Sequence, residues 1–149
     1  MRKTTIIICV ALYFLPHMEV WNNAPIENHF LYMFSHANIF HLLANTIALL
    51  SLKKLYPVSF IIAFIASFFP FNGMILGLSG VIFSQIGINI GKKFNKNGLY
   101  QNIIIACIFG MLPNMAILIH IYCLIIGFLI GNIIWMINIY KDPIYGNNK

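Results

Sequence analysis

The sequence predicts an all-α, polytopic membrane protein that crosses the bilayer six times as a bundle of short helices, with both termini cytoplasmic. Three observations lead there. Of 149 residues, 60% are hydrophobic and only 8% are charged, against roughly one quarter charged in a soluble domain. No Lys, Arg, Asp or Glu occurs from Leu55 to Gly91 or from Asn97 to Tyr140; stretches of that length accommodate several crossings joined by tight turns. The basic residues, finally, are scattered in ones, twos and threes between the apolar runs. A soluble chain this short has too little interior to hide so much apolar surface.

Six hydrophobic segments follow in order, about Thr4–Met18, Ala37–Leu52, Leu55–Phe71, Met74–Ile90, Leu99–Leu112 and Met115–Ile139. They are continuously apolar and do not alternate as barrel strands must, so helices are expected. The first resembles a signal peptide, with Arg2-Lys3 ahead of an apolar run, but no small-x-small cleavage site follows it. It is read as a membrane helix. Between the first two segments lies the longest polar connection, Glu19 to Ser35, containing Trp21, Pro25 and His29. No repeat, low-complexity linker or second domain interrupts residues 1–149, which are read as one domain.

Charge tests this division. Six crossings from a cytoplasmic N-terminus put all nine basic residues inside: Arg2, Lys3, Lys53, Lys54, Lys92, Lys93, Lys96, Lys141 and Lys149. The positive-inside rule favours that division, and the outer side keeps none of the basic residues and holds Glu19 and Glu27. The net charge of +6 therefore reads as a topology signal, and no nucleic-acid partner is expected. Cys9, Cys107 and Cys123 sit inside apolar runs without CxxC spacing and are expected to be packing residues. Several segments have only about 12–17 residues, fewer than the ~20 that span ~30 Å of hydrocarbon. Bilayer thinning or helices that begin beside a water-filled cavity would accommodate them.

On this topology three distant groups share one depth. His36, His41 and Asn45 open the second segment, Ser79 lies near the start of the fourth, and His120 in the outer part of the sixth. Polar and ionisable residues at membrane depth are costly and mark candidate sites. A serine hydroxyl needs an adjacent base to act as a nucleophile, and His120 is the one imidazole in the second half of the chain. No Asp or Glu lies in any apolar segment, so a Ser–His dyad is expected. Gly77 and Gly80 let the backbone turn tightly around Ser79, which opens a helix whose free N–H groups favour an oxyanion. His41 and Asn45, spaced i, i+4, share a helix face and can both donate hydrogen bonds. His36 lies off that face and is expected to fix the outer loop.

Blander readings exist for each residue. A lone serine in an apolar helix is usually bonded back to its own turn, and Asn45 can join helices. Three histidines can ligate a metal, but no carboxylate or thiolate converges with them, so no metal or other cofactor is expected. Gly80, Ser84, Gly87 and Gly91 form one small-residue stripe, and Gly127 with Gly131 another. Such faces let helix backbones approach closely, which would bring Ser79 to His120.

The ordered set His36-x4-His41-x3-Asn45, Gly77-Leu78-Ser79-Gly80, and His120 followed by Gly127 and Gly131 resembles the rhomboid intramembrane serine proteases, across nearly the whole chain. The resemblance implies a six-helix core, with Ser79 as nucleophile and His120 as general base. It implies an oxyanion hole of His41, Asn45 and the Ser79 backbone N–H, and Phe83 packed on the catalytic imidazole. It further implies a multi-pass cell-membrane enzyme, its site opening to the extracytoplasmic side, that cleaves transmembrane segments of other proteins without a cofactor. Two features depart from the family. Glu27-Asn28 stands where a Trp-Arg pair is often found, and Cys123 replaces a frequent glycine. A catalytically silent protein that binds membrane helices is the alternative, although it would have no need to keep both Ser79 and His120. A transporter or channel would be expected to carry intramembrane charges and paired broken helices.

Overall fold

A computed structural model describes residues 1–16, 18–70, 73–92 and 117–141. These form six α-helices: α1 (Arg2–Leu12), α2 (Ile26–Leu31), α3 (Ile39–Ser51), α4 (Val58–Ala66), α5 (Ser79–Gly91) and α6 (Ile117–Lys141). A 3-10 turn, Tyr32–Phe34, joins α2 towards α3. The expected helical class agrees with this, and the expected segments one to four and six each contain a helix. The fifth, Leu99–Leu112, lies outside the described residues, as does Cys107.

The six-crossing bundle is corrected by helix length. Among the described residues one helix is long and apolar enough to cross a membrane, Ile117–Asn138 with a mean hydropathy of 2.4. A second qualifies only if Ile26–Phe34 and Ile39–Ser51, bent by 79°, count as one span. At 1.5 Å per residue, the 11-residue α1 and the 13-residue α3 and α5 reach roughly 16–20 Å, against ~30 Å of hydrocarbon. The first four apolar runs proved longer than the helices inside them. Helix α1 stops at Leu12 well short of Met18, and Met74–Leu78 is non-helical chain that leads into α5. The assignment of both termini to the cytoplasm rested on six crossings and falls with them.

The charge asymmetry does have a structural counterpart. Arg2 donates to the carbonyls of Leu50 and Leu52 at the C-terminal end of α3, so α1 begins where α3 ends. Lys92, at the end of α5, reaches Tyr56, which follows Lys53 and Lys54. Arg2, Lys54 and Lys92 therefore gather at one end of the described structure.

Helices α5 and α6 form the centre. Helix α5 is buried along nearly its whole length, whereas only 28% of the most apolar window of α6 is buried. Ile117, Ile121, Ile125, Leu129 and Ile133 stand exposed on α6. A contiguous apolar face of this kind suits lipid or a partner. The two backbones touch through glycine. A Cβ on Gly87 would lie within 2.8 Å of Phe128 N, and one on Gly91 within 2.8 Å of Asn132 N. One on Gly131 would come within 3.0 Å of the Gly91 Cα. The free Cys9 and Cys123 are both buried; the Cys123 sulfur lies 3.5 Å from where a Gly80 Cβ would sit, filling the room that glycine leaves.

Candidate active site

Ser79 is the first residue of α5 and is 3% exposed. Its hydroxyl lies 2.8 Å from His120 Nε2. With that nitrogen unprotonated, the hydroxyl donates to it, the arrangement a general base requires. The blander reading of a back-bonded serine describes Ser51, Ser67 and Ser84, whose hydroxyls donate to Ala48, Phe64 and Gly80 carbonyls. Ser79 instead faces an imidazole. His120, 4% exposed, is held face to face with Phe83, with ring centroids 4.4 Å apart and planes 6° apart. Ser79 and Phe83 are four residues apart on α5, so one helix face carries both the hydroxyl and the ring that orients its partner.

Gly77 decides how the other donors approach. Its φ of +111° is open to glycine and rarely to other residues, and its N–H donates to the Tyr32 carbonyl at 2.8 Å. A Cβ there would sit 2.6 Å from His41 Nε2 and 3.3 Å from Asn45 Nδ2. The imidazole and amide of α3 are thus pressed against the backbone two residues before the serine. Asn45 is 1% exposed. His41 Nε2, Asn45 Nδ2 and Asn45 Oδ1 are buried and make no hydrogen bond among the described residues. Buried polar atoms without partners are costly, and the two nitrogens among them, as donors beside a nucleophile, are free to meet a substrate oxygen.

His36 is buried, with Nδ1 3.1 Å from the Phe34 carbonyl and its ring 5.2 Å from that of His41. It binds the turn that precedes α3. Gly80 faces the Tyr32 hydroxyl, which would be 3.2 Å from a Cβ there. Gly127 and Gly131 lie on the α5–α6 contact, away from the serine. No carboxylate is hydrogen-bonded to His120 among the described residues, and no group of three or more metal-ligating side chains converges among them.

Three supports were missed in the sequence. Asn38 caps α3, its Oδ1 accepting from the His41 N–H at 2.9 Å; an Asn just before an apolar run is a readable start signal. Tyr32 is fully buried, holds Gly77 through its carbonyl and donates its hydroxyl to the Ala63 carbonyl at 3.0 Å. Val20 and Ile75 exchange two backbone hydrogen bonds, at 2.9 and 2.8 Å, tying the first connection to the chain before Gly77. The last two are long-range and leave no local pattern. A second serine–histidine pair was also unforeseen: His29 Nδ1 lies 2.8 Å from Ser67 Oγ, and its ring stacks on Phe68 at 3.9 Å. Because the Ser67 proton goes to the Phe64 carbonyl, that hydroxyl only accepts from His29. It is a structural clasp.

An apolar recess of about 190 Å³ adjoins the imidazole, lined by Phe83, Ile117, His120, Ile121 and Leu124. No protein-family model, no curated protein and no solved structure matches the chain.

Proposed function

We propose that this protein is a serine endopeptidase of the rhomboid type, hydrolysing peptide bonds in or near transmembrane segments of other proteins. The observation that carries the reading is the 2.8 Å contact of Ser79 with His120, beside the unpartnered donors of His41 and Asn45. His120 takes the proton as Ser79 Oγ attacks the carbonyl, then returns it to the leaving amine; water repeats the cycle on the acyl-enzyme. His41 Nε2, Asn45 Nδ2 and the Ser79 N–H receive the oxyanion, and α5 points its N-terminus there.

A membrane substrate is supported by α6, whose length and apolarity suit a bilayer, and by the recess beside His120, which accepts an apolar side chain. Arg2, Lys54 and Lys92 lie at the far end of α5 from Ser79, so the positive-inside preference would turn the site to the extracytoplasmic side. A fluorophosphonate probe tests the chemistry. The purified protein is expected to be labelled on Ser79 and to cleave a reporter transmembrane substrate. Label absent from Ser79, or cleavage insensitive to the probe, would refute the proposal. Folded protein that neither reacts nor cuts would favour a silent binding role instead.

Asn45→Ala should lower kcat about 10²–10³-fold with KM little changed, as loss of one oxyanion donor does. An unchanged kcat in a steady-state assay would remove Asn45 from the oxyanion hole.

A further inference from the structure

The end of α5 opposite Ser79 carries a second polar assembly. Tyr56, just before α4, donates its backbone N–H to Gln85 Oε1 at 2.7 Å. The Ser59 hydroxyl donates to the same oxygen at 3.0 Å, and Gln85 Nε2 donates to Asn89 Oδ1 at 2.9 Å. Ser59, Gln85 and Asn89 are all buried. Tyr56 is therefore fixed to α5 by its backbone, leaving its ring and hydroxyl half-exposed.

Two ammonium groups converge on that ring. Lys54 Nζ lies 4.7 Å and Lys92 Nζ 4.5 Å from its centroid, and Lys92 donates to the phenol oxygen at 2.9 Å. The two cations are within about one Debye length of each other at physiological salt, so they repel. Among the described residues no carboxylate offsets them. The chain has three acidic residues; Glu19 and Glu27 belong to the connection bonded to Ile75, near Ser79, and Asp142 lies outside the described residues. Arg2 is occupied with the α3 carbonyls. The Lys92 hydrogen bond and the charge of Lys54 lower the phenol pKa, so the local field favours an anion.

We propose that Lys54, Lys92 and the Tyr56 hydroxyl bind the phosphate of an anionic phospholipid headgroup. Lys92 and Lys54 each retain two further N–H donors, and the phenol, accepting from the lysines, keeps its proton to donate. The occupant is a lipid because α4 rises directly from Tyr56 with an exposed apolar stripe. Ile61 and Ile65, one turn apart on the same face, are 56% and 46% exposed, and Phe68, just beyond the helix, is 52% exposed. An acyl chain can lie there while its phosphate meets the lysines. The inference uses the bilayer placement of the protein but not the chemistry at Ser79.

Native mass spectrometry of the detergent-purified full chain, offered phosphatidylglycerol or phosphatidylcholine, tests it. Wild type is expected to retain phosphatidylglycerol preferentially. The double variant K54Q/K92Q should weaken retention on the order of 25-fold, each lysine near an anionic surface being worth about 1 kcal/mol. K54R/K92R should keep it, and K3Q/K53Q, with the same change in net charge, should lose far less. Equal retention of the two lipids overturns the proposal, as does equal loss in K3Q/K53Q. Displacement of the lipid by equimolar inorganic phosphate would assign the site to free phosphate and overturn the lipid. Ser79→Ala is expected to bind like wild type, so an inactive protein that still selects phosphatidylglycerol separates this inference from the proposed protease.

Discussion

Ser79→Ala is expected to reduce cleavage of a transmembrane substrate by at least about four orders of magnitude, and His120→Ala by a similar factor. Removing either member of a nucleophile–base pair costs nearly as much as removing both, so the double variant should be little worse than the singles. Ser79→Ala should cost little stability, and His120→Ala more, since it also empties a buried site. Each substitution removes one hydrogen bond, worth about 1 kcal/mol net, and His120→Ala also loses the stacking on Phe83. The measurement is single-turnover cleavage beside thermal unfolding in the same detergent. Ser79→Ala that cuts at the wild-type rate would disprove the nucleophile assignment; strictly multiplicative losses in the double variant would show that the two side chains do not act as a unit.

Gly87→Ala should be strongly damaging for a single added methyl. The new carbon would meet backbone, with Leu124 O and Gly127 C crowding it and Phe128 N at 2.8 Å. Backbone atoms cannot rotate aside as a side chain can. Helices α5 and α6 must separate, and the cost should exceed the about 1–3 kcal/mol typical of overpacking. The same separation moves His120 from Ser79, because each sits on one of the two helices. A displacement of about 1 Å can cost about 10²-fold in rate. Lower thermal stability with a matching loss of kcat in the folded fraction is therefore expected. A variant as stable and active as wild type would show that the helices are not held in contact at Gly87.

The candidate site was unusually legible because its chemistry is scarce in an apolar chain. A serine flanked by Gly77 and Gly80, one histidine in the second half, and an i, i+4 histidine–asparagine pair stand out where almost every neighbour is aliphatic or aromatic. The small-residue stripes announced the close α5–α6 contact for the same reason. Tyr32 and Val20 carried no such mark. They look like ordinary apolar residues, and their importance comes from backbone groups that meet Gly77 and Ile75 across long chain separations. The His29–Ser67 clasp was hidden in the same way.

Composition and spacing were enough for the helical class, the apolar character, the candidate residues and the clustering of positive charge, since each depends on residue type and local period. The number of crossings was not readable there. An apolar run shows that residues avoid water, yet it does not say where the helix within it stops. Only the folded chain showed that most helices end after 6–13 residues and that α6 alone has unbroken spanning length among the described residues. It also placed His41 and Asn45 against Gly77 and set Ser79 2.8 Å from His120. Those distances depend on backbones from three helices meeting in space, a property that no single stretch of sequence possesses.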